Sequence, residues 1–550
     1  MRLILAALLL STAGAAIAST PALDDRTAIQ RYVRARAADA AGLVDAAAAG
    51  YGAALAASPG DEVLAIRAYR QAMLAGDRAL AVRAARVLDA RDLLPPDGRL
   101  LLLSEAVTTR DWKRASTTVD RIAQDDVFAF MVPVLRGWIA YGSKSRDPIA
   151  AVDAGPSALA RAYAAEHRAL ILIAQGKWDD GIAAIRAQAG SAGGRSTRLR
   201  LAAAARLADK RRRDEALMLI AGDEPALEAG RALLTARRRL PAPVDTAAAG
   251  IAELFTRVAI DVNRERVTPL ALTLARLATF LAPENAETWL VTSELLTAGD
   301  HHDAALAAIG NVAADDPFAG SARAARLQLL VKKGEQKTAL AEAEARAAQS
   351  GATVDDWSRV GDLRSELGDH RAAAQAYGRA VALAEADPAK NGLWATLLQQ
   401  GGALEQAEDW GPAKAALERA ANLAPDQAVV LNYLGYAQLE RRENLAEAEK
   451  LIEKASALSP DDASITDSLG WAYFIRGDVP KAIETLERAV SREPGDTTMN
   501  EHLGDAYWTA GRRIDARHAW NAALVYAEAK DAGRIRAKLD TGLTKATAAP

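Results

Sequence analysis

Apolar residues recur along this chain at helical spacing. Over residues 463–496 the apolar positions include Leu469, Tyr473, Ile483, Leu486 and Val490, three or four residues apart within each of two segments. This spacing predicts amphipathic helices. The pattern then repeats. Leu469-Gly470 superimposes on Leu503-Gly504, Tyr473 on Tyr507, Gly477 on Gly511, Ala482 on Ala516 and Ala489 on Ala523, with an offset of 34 throughout. Leu434-Gly435, Ala448, Ala455 and Pro460 keep the frame with one inserted residue, and Gly401, Ala413, Ala420 and Pro425 continue it. Trp357, Gly361, Gly368, Ala373, Tyr377 and Ala380 follow after an insert of six. Each period predicts helical segments separated by a short turn. Glycine recurs at the eighth position of each period and alanine at the twentieth, small residues of the kind that close helix approach requires. Gly477 and Gly511 suit left-handed helix ends, and Pro460 and Pro494 stop the second helices.

Upstream the frame is carried by turns: Gly76-Asp77, Arg110-Asp111, Gly176-Lys177, Arg211, Gly299-Asp300 and Gly334-Glu335. Trp112, Trp178 and Trp410 fall in one position relative to these turns. Counting 34 back from Gly299 places the preceding turn near Glu265, yet Arg211 to Glu265 is 54 residues. The break holds Leu240-Pro241-Ala242-Pro243, and it predicts a joint near 222–250 between two array segments. Segments 142–156 and 190–197 read as loops from their Gly, Ser and Pro content. The expected organisation is a leader at 1–18, divergent repeats at 19–240, degenerate repeats at 250–356, well-matched repeats at 357–530, and a capping helix with tail at 531–550. In that cap Ile535 and Leu539 are expected to face in, and Arg534, Arg536 and Lys538 out.

The motif over residues 357–525, fullest from Gly470 to Pro494, resembles the tetratricopeptide repeat. The resemblance implies an all-α superhelical solenoid of antiparallel helix pairs, quasi-linear because each repeat leans on its neighbours. It also implies a concave groove lined by the first helix of each repeat, with the second, fifth, ninth and twelfth positions projecting into it. In the last three repeats these positions bring in Asn432, Tyr436, Asp467, Trp471, Phe474, Glu501, Asp505 and Trp508, an aromatic and acidic set. Aromatics supply much of the energy of binding surfaces and carboxylates select the sign of the partner. The expected partner is a protein or peptide segment that is apolar with basic residues. For Phe474 and Trp508, packing between neighbouring repeats is the competing reading. The family's clamp for a C-terminal carboxylate uses Lys, Arg and Asn, and only Asn432 resembles it.

Composition agrees with an all-α chain. Hydrophobic residues make up 50% but aromatics only 5%, so alanine and leucine supply the difference, and these are strong helix formers. There is no cysteine, which excludes thiol nucleophiles, disulfides, cysteine-based zinc sites and a lipidated cysteine anchor. Lys+Arg is 68 and Asp+Glu 71, a formal charge of −3, so no general electrostatic drive toward nucleic acid is expected. Residues 1–18, MRLILAALLLSTAGAAIA, combine Arg2, an apolar run Leu3–Leu10 and Ala16-Ile17-Ala18, the pattern of a cleaved secretory leader. This predicts a periplasmic location, and no later run is apolar enough to span a membrane.

No catalytic, cofactor or metal motif emerges. Walker, dinucleotide-glycine and Gly-x-Ser-x-Gly patterns are absent. His301-His302-Asp303 is the one histidine cluster and reads as a solvated turn. Arg211-Arg212-Arg213 and Arg237-Arg238-Arg239 read as helix ends that complement the dipole. Residues 21–240 show helical periodicity but no convergent polar set. The blocks LNYLGYAQLE, ASITDSLGWAYF and EHLGDAYW resemble long envelope tetratricopeptide proteins of proteobacteria. Many of these are outer-membrane lipoproteins, and some are adaptors that bring a periplasmic processing protease to cell-wall hydrolases. The resemblance implies a non-catalytic scaffold, and without a lipidation cysteine any outer-membrane association runs through a partner. The alternatives are an envelope or polysaccharide export module and an enzyme within the N-terminal half.

Overall fold

In a computed structural model of the chain, the described residues are 23–125, 127–189, 195–386, 392–545 and 547–549. The expected leader at 1–18 lies outside them. All regular structure among the described residues is helical, arranged as successive antiparallel pairs. The fold is an all-α tetratricopeptide-type array. The chain divides into two compact units, Met1–Lys333 and Gly334–Pro550. The break expected near 222–250 lies inside the first unit. It holds one extra helix, Pro225–Thr235, and an irregular stretch to Thr246.

Backbone conformation marks the repeat frame directly. Gly76, Arg110 and Lys144 have φ of 82°, 59° and 55° and stand 34 residues apart; Arg266, Asp300, Gly334 and Gly368 do the same at 61°, 59°, 78° and 77°. The turn expected near Glu265 is therefore real and centred on Arg266. Lys144 ends the helix Val132–Ser143, so the frame persists through a stretch that reads as a loose loop. Gly477, at φ 90°, shows why these positions recur. Its N–H bonds Phe474 O at 3.0 Å and Asp478 N–H bonds Tyr473 O at 2.9 Å, closing the first helix. The Asp478 side chain then accepts from Lys481 N and opens the second. One two-residue step satisfies backbone groups that both helix ends would leave unpaired. Trp112, Trp178 and Trp410 each begin a second helix.

The eighth-position glycines are set by contact distance. A Cβ added to Gly361, Gly401, Gly435, Gly470 or Gly504 would lie 2.3–2.7 Å from Tyr377, Leu417, Ile452, Leu486 or Trp520 on the paired helix. Alanines at the facing position, Ala413, Ala448, Ala482 and Ala516, have no exposed surface.

Within the first unit, one helix pair packs across several others. Ala247–Arg264 lies against Pro96–Thr108, Val132–Ser143 and Ala158–Gln175, while Thr268–Leu281 lies against Glu62–Ala75 and Pro96–Thr108. The contacted helices are the first helices of their pairs, so the face that would line a groove is covered by the chain itself. The approach is close: a Cβ on Gly250 would fall 2.0 Å from the Trp138 ring. Trp138 is fully buried and donates from Nε1 to His167 Nδ1 at 3.1 Å. Burial holds the imidazole neutral, with its pKa pushed down to about 3. Arg276 donates to Leu74 O at 2.7 Å, closing a helix end 202 residues earlier.

Residues 21–240 supply only Glu166, Arg195 and Arg198 to a polar set that residues 253–287 complete. Arg195 meets Glu166 at 2.5 Å, Glu287 at 2.7 Å and Glu253. Arg198 meets Glu253 at 2.7 Å, and Asn285 donates to the same carboxylate at 3.0 Å. Arg257 lies 3.6 Å from Glu166. Burial raises the Glu166 pKa. Burial also opposes the charge of Glu253, but Arg198 and Arg195 outweigh it and hold that pKa down. Three cations face three carboxylates, so this is a closed ionic lock, with its acceptors taken up by its own donors.

Candidate functional site

In the second unit the first helices of the last three pairs are Ala428–Glu440, Ala463–Arg476 and Thr497–Thr509, and successive members touch. Positions −6, −3, +1 and +4 from each helix glycine are those expected to face the groove. Across the five glycines from Gly361 to Gly504 these positions carry six carboxylates, Asp355, Asp362, Glu405, Asp467, Glu501 and Asp505, and no Lys or Arg.

The eight residues expected to form the groove fall into three environments. Asn432 and Tyr436 are half-buried on the first of the three helices. Burial, then Glu440 and Asp467, push the Tyr436 phenol up. Burial and Glu405 likewise raise the neighbouring Glu440 carboxyl. Asp467, Trp471 and Phe474 form the second environment together with His502 from the next helix. Trp471 stacks on His502 at 4.0 Å and 10°, and on Phe474 at 4.7 Å and 15°. His502 Nδ1 lies 2.9 Å from Asp467 Oδ2, and since a carboxylate only accepts, Nδ1 carries the proton. Asp467 is 6% exposed and Trp471 2%.

Glu501, Asp505 and Trp508 make the third environment, and the chain's own C-terminal helix, Ala529–Thr541, occupies it. Arg534 donates to both Glu501 oxygens at 2.9 and 2.8 Å. Lys538 Nζ, with no exposed surface, lies 2.6 Å from Glu501 and 2.7 Å from Asp505. Trp520 Nε1 and Ala549 N also donate to Asp505, at 2.9 and 3.1 Å. Trp508 tilts against Trp520 at 5.2 Å beside Gly542. Lys538, expected to face outward, therefore points inward, and Arg534 is turned to the same acids; Ile535 is buried and Arg536 exposed as expected. The two carboxylates respond differently. At Glu501 burial is outweighed by Arg534 and Lys538, and the pKa falls. At Asp505 burial outweighs Lys538, and the pKa rises.

The sequence reading missed His502, Arg534 and Lys538 as members of this face. Their signal was present in part: His502 follows Asp467 by 35 residues and Arg534 follows Glu501 by 33, each one repeat on. Elsewhere, Asp303 of the histidine cluster pairs with Lys333 at 2.7 Å. Among the described residues no three His, Asp or Glu side chains gather as a metal site, and no helix is long and apolar enough to cross a membrane.

Helix pairs at this period define a tetratricopeptide-type repeat protein. Several solved structures are similar to the chain. The crystal structure of MamA is 28% identical, covering 30% of this chain and 94% of its own, at a TM-score of 0.26. TTC0263, a thermophilic TPR protein in Thermus thermophilus, is 20% identical over 34% of this chain and 98% of its own, at 0.30. The APC/C hetero-tetramer Cut9-Hcn1 is 16% identical and covers 94% of this chain and 96% of its own, at 0.38. No family model and no curated protein matches the chain.

Proposed function

We propose that the chain is a non-catalytic scaffold that binds a protein segment along the first-helix face of its second unit, over residues 354–508. The carrying observation is the charge of that face: its expected groove positions hold six carboxylates and neither Lys nor Arg, and with Glu501 and Asp505 met by the chain's own Arg534 and Lys538 and Glu405 by Arg441, Asp355, Asp362 and Asp467 carry the charge offered to a partner. Such a face selects a basic segment, and Tyr436, Trp471 and Phe474 give it apolar contact area. The first unit supports the same assignment, because its first-helix face over residues 62–175 is covered by its own helices at 247–281. The leader-like residues 1–18 support delivery to the periplasm, where the resemblance to envelope adaptors makes a processing protease or its cell-wall enzyme the partner.

A photo-crosslinking residue at Asn432 or Asp355, in intact cells, tests the reading. The expected result is capture of a discrete partner from these sites and none from the outward residue Glu484. Equal capture from all three positions would overturn it. Osmotic-shock fractionation tests the location, and retention with the cytoplasm would remove the envelope part.

A further inference from the structure

Three features stand outside the ordinary repeat contacts: the ionic lock of the first unit, a small cavity beside it lined by Arg198, Leu240 and Asp316, and the rings around Asp467. The lock is self-satisfied and the cavity is too shallow for a ligand. Around Asp467, polar groups are left over. Asp467 Oδ1, Trp471 Nε1 and His502 Nε2 are buried and have no hydrogen-bond partner, and Asn432 Oδ1 on the adjacent helix has none either. A buried polar atom without a partner costs roughly 1–3 kcal/mol, more if charged, so a cluster of them calls for an explanation.

The repeat supplies the comparison. Asp467 and Glu501 occupy the same position in consecutive repeats, 34 residues apart. At Glu501 the following helix provides two cations, Arg534 and Lys538, and both oxygens are satisfied. At Asp467 the following helix provides only His502, which bonds one oxygen and leaves the other bare. The bare atoms have a definite chemistry. Asp467 Oδ1 and Asn432 Oδ1 accept, Trp471 Nε1 donates, and Glu440 adds a second carboxylate nearby. Acceptors and negative charge beside stacked aromatic rings suit a cation with several N–H donors.

We propose that Asp467, Trp471 and His502 form a subsite for one Arg or Lys side chain of a partner helix, entering as Arg534 and Lys538 enter one repeat later. The proposal rests on the groove reading above and names its partner chemistry. The atoms are covered in the free chain, so occupation displaces a covering ring. Phe474, half-buried and stacked on Trp471, is the ring that moves, which makes indole fluorescence a reporter.

The chain's own C-terminal helix shows what the equivalent position accepts, so a synthetic peptide of residues 528–545 is the probe, labelled and titrated against the full-length protein. The expected result is saturable 1:1 binding with a change in tryptophan emission. Replacing the three positions Arg534, Arg536 and Lys538 of the peptide by citrulline or norleucine weakens binding about ten-fold or more. Asp467→Asn in the protein gives the same loss, and combining the two adds little. Glu484→Gln, on the outward face, changes affinity less than about two-fold. Because the neutral peptide is tested on the unaltered protein, the result stands even if Asp467→Asn folds poorly. Equal binding of the neutral peptide, or binding untouched by Asp467→Asn, overturns the subsite. Peptide binding that depends on other groove residues leaves the scaffold reading intact. No peptide binding at all removes the cation class, while in-cell capture at Asn432 decides the scaffold reading separately.

Discussion

At the scale of the residue, the informative positions are those where burial and charge compete. His167 is a base held neutral: it accepts from Trp138 in a site closed to water. Its folded pKa of about 3 lies below the ordinary histidine value of about 6.5. A base depressed on folding binds its proton more readily when unfolded, so stability is complete above about pH 6.5 and falls below it. The expected slope is about 1.4 kcal/mol per pH unit for one proton, ending near the folded pKa. Urea unfolding of the first unit between pH 4 and 7, followed by Trp138 fluorescence, measures it. His167→Phe should flatten the dependence, and an unchanged slope would show that the proton is taken up elsewhere. This histidine was not legible in the sequence: it sits at ordinary helical spacing, and its tryptophan partner is 29 residues away.

At the scale of the element, helix pairs and turns were legible and helix orientation was not. The small residues at the eighth and twentieth positions, the left-handed turn glycines and the tryptophans opening second helices all follow from local sterics, which the sequence displays. The C-terminal helix is different. A helix bearing Arg534, Arg536 and Lys538 reads as a solvated cap, because cations are normally exposed. Only the carboxylates of another helix, one repeat back, reverse Lys538. That pairing sets its acid response. Glu501's folded pKa is lowered, so its stabilisation is present above about pH 4.3 and is lost as pH falls through the folded value. Asp505 is raised and works in the opposite sense, its protonation relieving buried charge. The expected outcome is that the hold of Glu501 on Ala529–Thr541 weakens as pH falls below about 4.3, with Asp505 opposing the loss. Amide hydrogen exchange as a function of pH reads this directly. Protection that persists in the helix after Glu501→Gln would mean that Ile535 and the tryptophans hold it without the acids.

At the scale of the molecule, an array of repeats is expected to store its stability in contacts between neighbours. The second unit follows that rule. The first unit departs from it through the docked pair at Ala247–Leu281 and the ionic lock. From sequence alone that pair is one more helix hairpin; Glu253 and Glu287 stand one repeat of 34 apart, but Glu166 and Arg195 fall outside that spacing, so neither the docking nor the lock could be read. Breaking one partner of a buried ion network leaves uncompensated charge and costs about 3–5 kcal/mol. Glu253→Gln, which leaves Arg195 and Arg198 short of a carboxylate, should therefore lower the unfolding midpoint of the first unit markedly. Denaturation monitored at Trp138 checks this, and a shift no larger than that of an exposed control such as Glu228→Gln would reduce the lock to an incidental cluster.

The covered face of the first unit also imposes an order on synthesis. The helices bearing Leu74, Trp138 and His167 leave the ribosome well before residues 247–281 exist to cover them. Until then the nascent chain carries an uncapped apolar surface, and its closure must bring together Arg276 and Leu74, 202 residues apart. Contacts of such separation form slowly, since loop closure precedes any gain from them. Whatever handles this chain during its production meets that surface bare; a pause before residue 247 would prolong the exposure, and a truncation there would make it permanent.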